Sequence, residues 1–318
     1  AYLLFFTNQG KVYWQKVYGI PELGRDRRGR AIVNLLNLAE GEQIADCRAV
    51  RDFDKPDHYL VMATRRGLVK KTELTAYRRP NRHGIIAIKL REGDELVDVV
   101  VTKPGDEVVL ATSRGMAIRF RESDARPMGR ASSGVKGIRL IGDDMVVGMV
   151  VADPEACLLT VCANGYGKRT PFGPNLTLET DGSPYADLAS DPAGVQDDTA
   201  GEAVDESDQE DAEAEEGDEG DNHSSQRSYR TQNRGGKGLH DIKTTERNGP
   251  VIGIVRVRDN DELMMITARG KIQRLPISDI SIIGRNTQGV RIMSLDEGDT
   301  VVAAKRVPRE EEDAKDEG

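Results

Sequence analysis

The sequence predicts an all-β fold, a propeller-like array of four-stranded blades, from three observations. The first is a pattern that occurs five times: an apolar strand, a turn that ends in glycine, and a second strand. The second is the spacing of these glycines, which is 57, 48, 50 and 105 residues, the last being one repeat plus an insertion. The third is that the strands are rich in Val and Ile, while helical periodicity is weak. A period of about 50 residues with about four strands per unit is typical of radial repetition.

Each repeat is divided by two glycines. The first closes the hairpin turn, and the second opens a further strand 17 to 19 residues later in four of the five repeats. A polar turn and a fourth apolar strand follow. In the fourth repeat the separation is 73 residues. The pairs are Gly10 and Gly29, Gly67 and Gly84, Gly115 and Gly134, Gly165 and Gly238, and Gly270 and Gly289.

The count of repeats and their arrangement leave two alternatives. Because the chain begins directly with a strand, a sixth, incomplete repeat before the first stays open. Five similar hairpins could also form a sandwich, but matched spacing over five units favours radial blades.

Charge is strongly segregated along the chain. Residues 171–226 carry 18 acidic side chains and no Lys or Arg, and residues 308–318 carry six acidic and two basic ones. The whole chain has a net charge of -9, but without these two segments the body is +13. We therefore expect one β domain over residues 1–307, a disordered acidic insertion at 175–225 in its fourth repeat, and an acidic tail at 308–318. The basic body favours a polyanionic partner.

Basic residues recur at equivalent places in the repeats. One set stands four residues after the hairpin glycine, where the first repeat has Trp14 instead, and another lies between the second and third strands. Equivalent positions of radial blades lie on one rim, so a belt of cations could follow a phosphate backbone. Aromatic residues are only 4% and no recognition helix is evident, which favours duplex DNA over single strands or base reading. The predicted DNA-binding residues are Arg25, Arg27, Arg28, Arg30, Lys71, Arg78, Arg79, Arg82, Arg119, Arg126, Arg130, Arg169, Arg230, Arg274 and Arg285.

A glycine-rich basic segment in the fourth repeat is a further candidate. Two adjacent glycines let a backbone approach a ligand and expose N–H groups, while neighbouring cations supply charge. The segment lacks the spacing of a nucleotide-binding P-loop. This box-like motif consists of Gln232, Asn233, Arg234, Gly235, Gly236, Lys237 and Gly238.

Several phrases in order resemble the C-terminal DNA-wrapping domain of the DNA gyrase A protein and, less closely, that of topoisomerase IV. They include Arg28-Gly-Arg-Ala-Ile-Val-Asn-Leu-Leu36, Ala87-Ile-Lys-Leu90, Gly165-Tyr-Gly-Lys-Arg-Thr170 and Ile283-Gly-Arg-Asn-Thr-Gln-Gly289. The resemblance implies a β-pinwheel, a disk whose blades exchange strands and whose rim bends DNA. It also implies the rest of the gyrase A protein and the gyrase B protein as partners, in a holoenzyme that introduces negative supercoils with ATP. The family's box reads Gln-Arg-Arg-Gly-Gly-Lys-Gly, so Asn233 departs from it, and the family places it in the first of about six blades.

We expect no catalytic residue, metal or cofactor in this chain. Its four histidines show no ligand spacing, and its three cysteines suit a reducing cytoplasm better than a disulfide framework. No apolar run is long enough to span a membrane. The function that the sequence favours is non-catalytic wrapping of duplex DNA. The alternatives are a propeller-like platform for protein interactions and a domain that selects DNA substrates, as in topoisomerase IV.

Overall fold

A computed structural model describes residues 1–22, 31–79, 81–175 and 228–308, and these residues form five antiparallel sheets. They contain no α-helix, only strands and short 3-10 turns at Val17–Gly19, Ile32–Asn34, Leu74–Tyr77, Glu122–Asp124 and Ile277–Asp279. The strands in chain order are β1 (Tyr2–Thr7), β2 (Lys11–Lys16), β3 (Ile44–Val50), β4 (Tyr59–Thr64), β5 (Leu68–Glu73), β6 (Ile85–Ile86), β7 (Leu96–Thr102), β8 (Glu107–Thr112), β9 (Met116–Arg121), β10 (Val135–Lys136), β11 (Val146–Val151), β12 (Cys157–Cys162), β13 (Tyr166–Pro171), β14 (Leu239–His240), β15 (Val251–Val257), β16 (Glu262–Thr267), β17 (Ile272–Pro276), β18 (Val290–Arg291) and β19 (Val301–Val307).

Each sheet is one blade, and neighbouring blades exchange a strand. In blade 1 the order is β3-β1-β2-β6, so the hairpin β1–β2 lies in the middle and β6 comes from the next repeat. Blades 2, 3 and 4 repeat this arrangement with β10, β14 and β18 as the donated strands. The predicted all-β array of four-stranded blades is confirmed, and strand exchange agrees with the pinwheel that the resemblance implied. The described part of blade 5 has three strands, in the order β17-β16-β19.

The hairpin glycines explain how a donated strand docks. Gly10 has φ +77°, a left-handed conformation that closes the turn between β1 and β2. Its carbonyl accepts hydrogen bonds from the backbone N–H groups of Ala87 (2.8 Å) and Ile88 (3.1 Å), which follow β6. A Cβ atom at Gly10 would lie 2.6 Å from the carbonyl oxygen of Ile88. Glycine is therefore required twice here, for the turn and for the close approach of the next repeat.

The core lies between neighbouring blades. Leu4 and Phe6 of blade 1 are fully buried in one cluster with Leu60 and Met62 of blade 2. This packing on both faces explains why the strands are continuous apolar runs instead of alternating ones. Each blade buries its faces against its neighbours, as radial repetition requires, and the sandwich alternative is wrong.

The inner strands β3, β7, β11, β15 and β19 surround a central cavity of about 730 Å³. Carboxylates fasten the first three of these strands. Asp46 Oδ2 accepts a hydrogen bond from the backbone N–H of Val99 (3.0 Å), and Asp98 Oδ2 accepts one from Met149 (3.0 Å). The hairpins and donated strands therefore face outward, and the donated strands form the rim of the disk.

Candidate nucleic-acid interface

The cations four residues after the hairpin glycine do not form an exposed belt. Lys71, Arg119 and Arg169 are at most 5% exposed. Arg274 is exposed, but its Nε donates a hydrogen bond to Glu262 Oε2 at 2.5 Å. The prediction that Lys71, Arg119 and Arg169 belong to an exposed basic belt is wrong. They lie on the second hairpin strand, which is covered by the linker of the following repeat.

Arg119 shows what these buried cations do. Its Nε is 2.6 Å from Glu107 Oε2, and its Nη1 donates to the carbonyls of Phe172 (2.5 Å) and Tyr229 (2.9 Å). Its Nη2 donates to Asn175 Oδ1 at 2.6 Å. Burial lowers the pKa of Arg119, and the charge of Glu107 opposes this shift. The guanidinium thus joins the chain on both sides of the acidic insertion.

The same position fastens the other seams between blades. Lys71 forms an ion pair with Glu122 of the next repeat, and its Nζ lies 4.1 Å from the ring centroid of Tyr59. In the first repeat, Trp14 takes the place of the cation, and its Nε1 donates to the carbonyl of Tyr77 at 2.9 Å. The recurrence detected in the sequence is therefore an inter-blade fastening.

The cations of the linkers divide into three groups. Arg78, Arg79, Arg82, Arg126 and Arg230 are exposed. Arg130 is half-buried, and Arg285 is only 8% exposed, so the prediction of an exposed rim cation is wrong for Arg285. The linker that carries Arg285 packs on blade 4, where the Ile283 N–H donates to the carbonyl of Arg169 at 2.8 Å. Arg25, Arg27, Arg28 and Arg30 lie outside the described residues.

The box-like motif is braced against the preceding donated strand. The N–H of Gly235 donates to the carbonyl of Gly137 (2.8 Å), and the N–H of Arg139 donates to the carbonyl of Gly236 (2.9 Å). Arg234 Nε donates to the carbonyl of Asp124 at 3.1 Å, and Arg234 Nη1 donates to the carbonyl of Lys136. The Lys237 side chain is exposed.

Of the remaining members of the motif, Gln232 and Gly238 have structural roles. The N–H of Gln232 donates to the carbonyl of Arg119 at 2.7 Å, while Asn233 is exposed. A Cβ atom at Gly238 would lie 2.6 Å from the carbonyl oxygen of Ala117. The motif is therefore a fixed loop that presents the exposed cation Lys237 beside the partly engaged cation Arg234.

A second recurring set, which the sequence reasoning missed, is exposed. Lys89, Arg139 and Lys243 each stand five residues after the second glycine of their repeat, and all three are exposed. Their backbone N–H groups donate to the linker of the following repeat at 2.9 to 3.0 Å. This fixes their backbone while the side chains face solvent. The signal was present as a basic residue near the end of the phrases IIAIKL, VKGIRL and LHDIK. We call Lys89, Arg139 and Lys243 the rim set.

Blade 4 adds a pair of arginines held by one tyrosine. Arg247 Nε and Arg291 Nη2 each donate to the Tyr166 hydroxyl oxygen at 3.1 Å. Their guanidinium carbons lie 5.2 and 5.6 Å from the centroid of its ring. These two hydrogen bonds lower the pKa of Tyr166. The ring therefore orients two cations at the same rim.

Within the described ranges, no three His, Cys, Asp or Glu side chains are grouped in a way that could hold a metal ion. Nor does that part of the chain contain a helix long and apolar enough to cross a membrane. Cys47, Cys157 and Cys162 are free thiols.

The comparison with protein families agrees with the strand-exchanged blades. A family model described as DNA gyrase C-terminal domain, beta-propeller, matches residues 1–51, 58–103, 106–153, 226–258 and 261–308. The chain belongs to this family. The DNA gyrase A protein of Salmonella typhimurium is 39% identical over 305 residues, which are 96% of this chain and 28% of that protein. The Staphylococcus aureus gyrase A protein is 38% identical over 318 residues, 99% of this chain and 29% of that protein. The chain thus spans less than a third of the relatives' length.

Solved structures share the fold. The C-terminal domain of DNA topoisomerase IV superposes with a TM-score of 0.72 at 22% identity, covering 96% of this chain and 79% of that one. A DNA gyrase A C-terminal domain superposes with a TM-score of 0.69 at 24% identity, covering 96% and 82%. The resemblance drawn from the sequence phrases is confirmed.

Proposed function

We propose that this domain binds duplex DNA along its outer rim through backbone phosphates and bends the duplex around the disk. The observation that carries the proposal is the rim set, three exposed cations at equivalent positions just after successive donated strands. A protein that neutralises phosphates in this way releases condensed counterions, and these contacts do not read the bases directly.

The surrounding surface supports the same function. The linkers add exposed arginines such as Arg79 and Arg126, and blade 4 adds Arg247 and Arg291. The described residues contain no α-helix that could enter the major groove. The described ranges contain no element that reads base edges. We therefore infer that the domain prefers DNA sequences that bend easily.

Within a gyrase holoenzyme, the domain would present a bent DNA segment for strand passage, which supports negative supercoiling driven by ATP. This role requires the remainder of the gyrase A protein and the gyrase B protein, in the bacterial cytoplasm. We place strand cleavage and ATP hydrolysis in those other parts. The domain itself contributes binding and geometry, with no cofactor.

Binding to duplexes of increasing length tests the proposal. We expect affinity per available site to rise beyond about 20 base pairs, because a short, stiff duplex cannot follow a curved rim. The log–log salt slope should also steepen with length, by about 0.9 for each added phosphate contact. Equal affinity per site and equal slope for short and long duplexes would contradict wrapping. Salt-independent behaviour would favour the protein-interaction platform.

A domain that selects DNA substrates without stable wrapping is the second candidate. It is favoured by the departure at Asn233 and by the position of the box-like motif in the fourth repeat. Such a domain would bind DNA with a similar salt dependence but would leave the linking number of a closed circle unchanged. Measuring the linking number of a closed circle with the domain bound separates the two.

A further inference from the structure

One groove on the rim is lined only by cationic and apolar side chains. It has a volume of about 400 Å³ and lies in blade 2, between the hairpin turn before β5 and the donated strand β10. All the charged residues that line it are cations. They are Arg66, Arg91, Lys136 and Arg139.

These cations lack the compensation seen in the next blade. Arg114, which precedes the hairpin glycine of blade 3, forms an ion pair with Asp143. Arg66 occupies the equivalent place in blade 2, and its Nη1 donates instead to the backbone carbonyl of Glu92 at 3.0 Å. In the described part of the chain, Arg91, Lys136 and Arg139 have no carboxylate within ion-pair distance. The groove therefore concentrates positive charge that no described side chain neutralises.

The remaining lining of the groove is apolar. Leu68 and Ile138 are 8% and 2% exposed, and Leu140 is half-buried. A sugar–phosphate chain has matching chemistry, because its anionic oxygens require cations while the carbon face of deoxyribose packs on apolar groups. A free inorganic anion would use only the cations.

The box-like motif continues this surface. Gly235 is hydrogen-bonded to Gly137 at 2.8 Å, and Arg234 donates to the carbonyl of Lys136. The exposed Lys237 thus follows directly along the chain from residues tied to the groove. The loop and the groove form one basic surface built from two successive repeats.

We propose that this groove is the principal anchoring site for DNA on the rim. It holds the sugar–phosphate chain of one strand, with phosphates at Arg91, Lys136 and Arg139 and deoxyribose over the apolar floor. The inference rests on the proposed function and adds where on the rim the duplex is held most tightly.

A matched pair of triple variants tests the anchor. The first is Arg91→Ala, Lys136→Ala and Arg139→Ala. The control is Arg51→Ala, Lys55→Ala and Lys103→Ala, which removes the same charge from exposed positions at the opposite end of the strands from the hairpin turns. Affinity of the whole chain for a long duplex is measured over a salt series, and melting temperature reports the fold.

We expect the groove variant to bind on the order of tenfold more weakly, with a log–log salt slope lower by about 2 to 3, and the control to match the parent. If both variants lose the same amount, or neither loses any, the groove is no anchor although the rim still binds DNA. If the parent itself does not bind, the proposed function fails as well. If the triple variant does not fold, the single variant Arg139→Glu takes its place. We expect this one substitution to weaken DNA binding by itself.

Discussion

Two sets of cations recur at fixed positions of the second, third and fourth repeats, yet they do opposite things. Lys71, Arg119 and Arg169, which we call the seam set, are buried between a blade and the linker of the next repeat. Each member of the rim set lies just beyond the end of a donated strand and faces solvent. The difference teaches that periodicity identifies equivalent positions but does not say whether they are exposed.

The cause lies in the strand that carries each set. The second hairpin strand has a strand or linker on both sides, so a cation there requires a buried acceptor. Arg119 has Glu107 and several carbonyls, and Lys71 has Glu122. The segment after a donated strand is hydrogen-bonded through its backbone and has one open face. Four predictions test this division, beginning with the largest expected effect.

Arg119→Ala should cost about 3 to 5 kcal/mol of the free energy of unfolding, because it leaves Glu107 buried without its partner. Denaturant unfolding measures this loss. Arg126→Ala, which changes an exposed cation of the linker that follows Arg119 in the same repeat, is the control and should stay within about 0.5 kcal/mol of the parent. If both variants lost the same small amount of unfolding free energy, the buried seam cations would contribute no more to stability than exposed cations do.

Lys70 sharpens the comparison within the seams. It is fully buried, its Nζ donates to the carbonyls of Ala87 (2.6 Å) and Arg130, and burial lowers its pKa to about 7. Lys168, at the equivalent place in blade 4, has Asp241 at 3.0 Å as a counter-ion.

Because the folded-state pKa of Lys70 lies below the unfolded value, the unfolded chain binds more protons between pH 7 and about 10. Its contribution to stability should therefore rise with pH in that window, by up to about 1.4 kcal/mol per unit, and be flat below it. Denaturant unfolding of the parent and of Lys70→Met at several pH values isolates this contribution as their difference. If the parent and Lys70→Met had identical pH profiles, burial of the Lys70 charge would not lower the free energy of unfolding.

Replacing the rim set by Ala should change DNA binding and leave stability nearly unchanged. We expect the log–log salt slope to fall by about 3, and each substitution to alter the free energy of unfolding by no more than about 0.5 kcal/mol. Binding titrations over a salt series, with melting curves alongside, measure both. A large loss of stability would assign these residues to the seams instead.

The smallest effect concerns the acidic insertion, whose structure lies outside the described residues. Its 18 carboxylates are tethered to the linker that carries Arg230 and Lys237, so we expect them to compete with DNA for that rim. Replacing residues 176–225 by a short Gly-Ser linker, which keeps Asn175 for Arg119, should tighten DNA binding, most clearly at low salt.

An insertion of parental length with Asn and Gln in place of Asp and Glu is the matched control for charge against length. It should bind DNA as tightly as the short linker. If only the shortened chain binds more tightly, bulk and not charge is responsible.

Much of this structure could be predicted from the sequence, because its turns need glycine. Gly10 and Gly84 both have positive φ, and the residues between such glycines set the strand lengths. Which sheet a donated strand joins could not be predicted, since β6 is only two residues long and its partner is chosen by tertiary packing. The burial of Arg119 was hidden for a related reason: its acceptors Phe172 and Tyr229 are brought together only by the fold.

The linking number of a relaxed, closed circle, measured with a nicking-closing enzyme after the domain is bound, tests the wrapping of DNA on the rim most directly. We predict that the parent changes the linking number in proportion to bound protein. The variant without the rim set should produce little change, and the Arg51, Lys55 and Lys103 control should behave as the parent. A parent that saturates the circle and leaves its linking number unchanged would contradict wrapping.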